Sequence, residues 1–159
     1  MSDQTPTLRQ GARPARGLKV AVVVARFNRP ITARLLKSCQ ARLKALGLEP
    51  KGLRVDWVPG AFELPLAAQA LAESGKADAV VALGCVIRGE TSHYDLVCQS
   101  AAQGLLRAGL ESGVPVAFGL VTCESTRQAL ARSNGGPKDS GRHAAETAVW
   151  MARLLPRLT

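Results

Sequence analysis

Aromatic residues make up only 4% of the 159-residue chain: three Phe, two Trp and one Tyr. A core with so few rings must be built from Ala, Val and Leu, and a hydrophobic content of 47% supplies them. That content excludes a disordered chain. Long apolar runs are missing as well. None approaches the ~20 residues that span a bilayer, so no membrane association is expected. The opening stretch MSDQTPTLRQGARPARG lacks the apolar segment of a secretory signal, and a cytoplasmic location is expected. Cys39, Cys85, Cys98 and Cys123 show no CxxC spacing, which argues against a disulfide framework. They read as reduced, mostly buried small hydrophobes. His93 and His143 are the only histidines and form no HxxxH pair, so no metal site is expected. The chain also lacks a GxxxxGK[ST] loop, a GxGxxG turn after its first strand and a GxSxG elbow. Those absences remove support for nucleotide binding and for a serine hydrolase.

Acidic residues are the scarcer charge, 12 against 21 basic ones, for a net charge of +9. The excess is spread rather than concentrated: +3 over residues 1–19, +2 over 20–126 and +4 over 127–159. No dense basic stripe and no RNP, KH or zinc-finger pattern accompanies it. A nucleic-acid partner is therefore not expected. A solvated surface with a basic tail fits better, and attraction of an anionic substrate is the sharper alternative.

What is present is an alternation. LKVAVVVA (18–25) is a continuous β-branched run, the pattern of a parallel strand covered on both faces. Residues 31–46 follow with helical spacing and stop at Gly47. Strands are then expected at 53–58, 78–87 and 115–122. Helices are expected at 62–74, 93–112, 125–132 and about 142–155, the last after a turn-rich break at 133–141. This order predicts a single-domain, three-layer α/β/α sandwich at 18–159 with a four-stranded parallel, flavodoxin-like sheet. Residues 1–17 are expected to form a flexible N-terminal arm.

Ligands of open α/β sheets bind beyond the carboxyl ends of the strands. That rule selects four segments: ArgPheAsn at 26–28, ProGlyAlaPheGlu at 59–63, the stretch from Cys85 to His93, and ThrCysGlu at 122–124. Phe27 offers a stacking face for a flat ring, or a plug for the end of the core. Glu63 sits in the first turn of a helix, whose unpaired N–H groups can take a polar ligand edge. His93 stands where a helix begins and can exchange protons near neutral pH, or can simply make a structural hydrogen bond. His143 reads as structural.

These segments, PGAFELP (59–65) with GCVIRGETSHYD (84–95) above all, resemble the lumazine synthase family in order over residues 18–155. The resemblance implies condensation of 5-amino-6-(D-ribitylamino)uracil with 3,4-dihydroxy-2-butanone 4-phosphate. The products are 6,7-dimethyl-8-(D-ribityl)lumazine, phosphate and water, in riboflavin biosynthesis and without a cofactor. It implies that Phe27 stacks on the pyrimidine. Ala61, Phe62 and Glu63 would bind the ring edge and ribityl chain, Cys85, Val86 and Ile87 would line the ring, and Phe118 would close that pocket. Glu90, Thr91 and Arg132 would meet the butanone phosphate, and His93 would move protons. It further implies a homopentamer with sites between adjacent subunits, and riboflavin synthase as a partner. The turn 133–141 departs from the family's lysine-bearing turn: Ser140 stands where a second lysine is usual, and Lys138 is the candidate for that charge. Two other readings share much of this pattern. One is an archaeal-type riboflavin synthase; the other is a non-catalytic flavin- or lumazine-binding paralogue.

Overall fold

A computed structural model describes residues 15–159. Four strands, β1 (Val20–Ala25), β2 (Leu53–Val58), β3 (Ala79–Ile87) and β4 (Val116–Cys123), pair in parallel in the order β2-β1-β3-β4. Between and after them run the helices α1 (Arg29–Ala45), α2 (Leu64–Glu73), α3 (His93–Ser112), α4 (Thr126–Ala131) and α5 (Ser140–Leu154). This is the expected α/β/α sandwich with a flavodoxin-like strand order. Of the expected arm, residues 1–14 lie outside the described residues. Ala15 is already buried and donates its N–H to the Leu46 carbonyl at 2.6 Å.

The continuous apolar character of β1 follows from its place in the sheet. It is flanked by β2 and β3 and covered on both faces, and all six of its residues are buried. Val20, Val22 and Val24 join Leu35, Cys39 and Leu43 of α1 and Ala145, Ala148 and Val149 of α5. Ala21, Val23 and Ala25 join Leu64 and Ala68 of α2 and Ala101 and Leu105 of α3 on the opposite face. The outer strand β2 is covered less well, and five of its six residues are only half-buried.

Several element boundaries shift by a residue or two from the sequence expectation, and three of the shifts have a clear local reason. α1 begins at Arg29 rather than residue 31, because Pro30 fits the first helical turn, where its missing N–H costs nothing. The expected helix 62–74 opens as a separate 3₁₀ turn, Ala61–Glu63, before α2 starts at Leu64. α5 begins at Ser140 because the buried Asp139 caps it, accepting the Arg142 N–H at 2.9 Å. One residue into α5, a Cβ at Gly141 would collide with the Leu35 carbonyl of α1. Glycine there lets the two helices pack backbone to backbone.

Candidate active site

The sheet's connection order reverses between β1 and β3, where such folds form a crevice at the strands' carboxyl ends. A cleft of about 700 Å³ opens there. Phe27 enters it from the end of β1, Gly60, Ala61, Phe62 and Glu63 from the end of β2, and Cys85, Val86 and Ile87 from the end of β3. Thr91, His93 and Tyr94 supply its rim from the start of α3. Nine of the thirteen residues expected at the site are thus brought together.

Phe27 is held outward by its backbone. Beyond the end of β1, the Arg26 N–H donates to Val58 O at 2.8 Å and the Phe27 N–H to Pro59 O at 3.0 Å. Asn28 then turns into the left-handed region, with φ 57° and ψ 42°, and starts α1. Its side-chain amide donates to the Cys85 carbonyl at 2.8 Å, tying the ends of β1 and β3 together. The Phe27 ring is left 70% exposed. Sequence reasoning gave Asn28 no role. The available signal was its residue type, one of the few that tolerate a left-handed backbone, directly before an Arg-Pro helix start.

The second wall is the 3₁₀ turn, closed by the Glu63 N–H on Gly60 O at 3.3 Å. It leaves Phe62 exposed, and the Glu63 carboxylate has no hydrogen-bond partner among the described residues. Gly84, just before Cys85, has no room for a side chain. A Cβ there would come within 2.7 Å of the Leu120 side chain and 3.0 Å of Leu64, so glycine lets α2 start close above β3.

His93 is the first residue of α3 and is exposed. Its N–H leans on Thr91 Oγ1 at 3.4 Å, and its ring makes no hydrogen bond among the described residues. An imidazole so placed can give and take protons. The turn of helix around it is clamped by Arg88. The Arg88 guanidinium donates to both Asp95 oxygens at 3.1 and 3.2 Å and to both Glu124 oxygens at 3.0 and 3.1 Å. It also lies 4.2 Å from the Tyr94 ring centre. These hydrogen bonds hold its charge firmly and raise its pKa. One side chain thereby joins the ends of β3 and β4 to the first turn of α3. His143 behaves as expected of a structural histidine, with Nε2 donating to the Pro137 carbonyl at 2.6 Å.

Burial shifts the thiols away from the thiolate form. All four cysteines are free. Burial pushes Cys85 up to about 12, helped by the nearby Cys123, and burial likewise raises Cys98 and Cys123. Among the described residues, no three of His, Cys, Asp and Glu gather as a metal-ligand set.

Glu90, Phe118, Arg132 and Lys138 do not line this cleft. Glu90 is exposed on the loop between Gly89 and Thr91. Phe118 is half exposed on the outer strand β4. Arg132 ends α4 with its side chain exposed, and Lys138 is exposed in the turn before α5. In comparison with known protein families, the model described as 6,7-dimethyl-8-ribityllumazine synthase matches residues 17–156.

Proposed function

The chain belongs to the 6,7-dimethyl-8-ribityllumazine synthase family, and from that premise we propose that it condenses 5-amino-6-(D-ribitylamino)uracil with 3,4-dihydroxy-2-butanone 4-phosphate. The observation that carries this reading is the joining of GlyAlaPheGlu (60–63), CysValIle (85–87) and His93 around one cleft with Phe27 at its mouth. In the proposed reaction the uracil amine attacks the ketone and one water leaves as the imine forms. Phosphate is then eliminated and the resulting enol becomes a ketone. The ribitylamino nitrogen attacks that ketone, and a second water leaves as the ring closes. Each step relocates a proton, which suits the unengaged His93 imidazole. The remaining acceleration comes from holding two reactants in register. Phe27 offers its face to the pyrimidine, and the Glu63 carboxylate accepts hydrogen bonds from ribityl hydroxyls.

The cleft holds no cation for the phosphate among its lining residues. In the same reading a neighbouring copy supplies it: Arg132, with Phe118 covering the ring, reaches in across the β4 side. The planar guanidinium suits two phosphate oxygens. Lys138 adds charge from the same turn. The exposure of Phe118 on an outer strand supports this arrangement, and a homopentamer closes it.

The test is direct. Purified protein given both substrates yields the lumazine chromophore and one phosphate per lumazine. Lumazine binding without turnover would instead make it a carrier, and consumption of lumazine with release of riboflavin would make it a riboflavin synthase.

A further inference from the structure

On the other face of the sheet a groove of about 540 Å³ runs between α1 and the turn that leads into α5. Four cations line it: Arg34, Lys37 and Arg42 from α1, and Arg142 from α5. Their counter-charge is small. Arg42 Nε at 2.6 Å and Arg142 Nε at 3.4 Å share a single oxygen of the buried Glu146. The other acid at hand, Asp139, is fully buried and already accepts from Ser38 Oγ at 2.8 Å and the Gly135 N–H at 2.7 Å, besides capping α5. Arg34 donates through Nε to the Ser133 carbonyl at 3.1 Å.

Each of the three arginines is therefore anchored through its Nε, and their terminal amino groups have no partner among the described residues. Neither does the Lys37 ammonium, while the Asn134 side-chain oxygen accepts from the Gly136 N–H at 2.9 Å. Anchoring fixes the guanidinium planes before any ligand arrives. A concave surface lined by one sign of charge concentrates its field on counter-ions, and arginine forks match phosphate oxygens. We propose that this groove is a binding site for a phosphate-bearing small molecule, separate from the cleft that holds Phe27 and His93.

Inorganic pyrophosphate is the probe, titrated calorimetrically into the full-length protein at low ionic strength. The wild type takes up pyrophosphate at the groove, and Arg132→Ala, which alters only the proposed active site, retains that uptake. Lys37→Gln removes an exposed charge with no partner, so it leaves the fold intact. It weakens groove binding by about tenfold, the size of one charge-assisted contact, and leaves lumazine formation unchanged. The double variant Arg34→Gln/Arg142→Gln abolishes groove binding. Raising salt to 0.5 M weakens it steeply. Absence of uptake by the wild type overturns the proposal. So does uptake that is lost in Arg132→Ala yet unchanged in Lys37→Gln, because the only anion site is then the active one. Loss of turnover in every sample with groove binding intact would sink the enzymatic reading and leave this one standing.

Discussion

At the residue scale, two side chains divide the proposed chemistry. Phe27 contributes a flat apolar face that the fold holds in solvent at 70% exposure. Replacing it with Ser should raise KM for the uracil substrate by the loss of about 1–3 kcal/mol of stacking, whereas Phe27→Trp should keep activity. Steady-state kinetics with each substrate varied in turn decides it, and an unchanged KM in the Ser variant refutes stacking. For His93, His93→Ala should lower kcat by roughly 10- to 10⁴-fold while binding of a lumazine analogue changes little. A kcat equal to wild type would remove His93 from the mechanism. A third residue makes a pH prediction. Burial, and then the nearby Asp139 carboxylate, push Cys39 from an ordinary value of 9.0 up to about 12. The folded state therefore holds its proton where the unfolded chain releases it. Stability should be intact below pH 9 and should fall as pH rises from 9 toward 12. Cys39→Ala should start less stable, since it removes buried sulfur, but should lose less on going from pH 8 to pH 11 in urea titrations. Equal losses in the two proteins would contradict the assignment.

At the element scale, the site depends on connections that hydrophobic patterning does not encode. The strands were legible because β1 and β3 are buried on both faces, which leaves an unbroken apolar run in the sequence. The helices were legible from their spacing and their closing glycines, and Gly113 indeed ends α3 with φ 69°. The cleft itself was legible from the rule that ligands sit at strand ends. What was not legible is how the ends are tied. Asn28 reaches Cys85 across 57 positions of sequence, and Arg88 joins Asp95 to Glu124. No period or spacing announces such side-chain links. They are nevertheless what fixes Phe27 and His93 relative to one another. Asn28→Ala removes the bond to the Cys85 carbonyl and places a β-carbon residue without Asn's local compensation in a left-handed backbone. It should cost about 1–3 kcal/mol of stability. It should also raise KM for the uracil substrate although residue 28 touches no substrate. Asn28→Gly relieves the backbone but not the lost bond, so it should recover stability more than KM. If both variants bind and turn over like wild type, Asn28 is not what positions the ring.

At the scale of the whole molecule, the proposed reaction needs more than one chain's cleft supplies. The cleft gathers the groups proposed for ring binding and proton transfer, while Phe118 and Arg132 stand outside it. Phe118 lies on β4 at the far end of the sheet from β2, and its side chain is half exposed. A second copy whose β4 side meets the cleft would cover Phe118 and bring a cation to the phosphate in one movement. A shared site predicts complementation, which an intramolecular site forbids. Assayed with both substrates well below their wild-type KM, Phe27→Asp and Arg132→Ala should each be nearly inactive alone, the latter through loss of about 1.5–3 kcal/mol of charge-assisted phosphate binding, felt mainly as a raised KM for the butanone phosphate. Mixed after reversible dissociation, the two variants should regain activity. Some interfaces then join the wild-type Phe27 side of one chain to the wild-type Arg132 side of another. In a randomly mixed ring, one interface in about four has both wild-type halves, so recovery should approach a quarter of the wild-type rate per site. Mixed assemblies are verified by mass spectrometry of differently tagged chains, and their size by light scattering. Verified mixing with no recovery would place Arg132 beside its own chain's His93. It would require α4 to move toward the cleft from the position it holds at the end of β4.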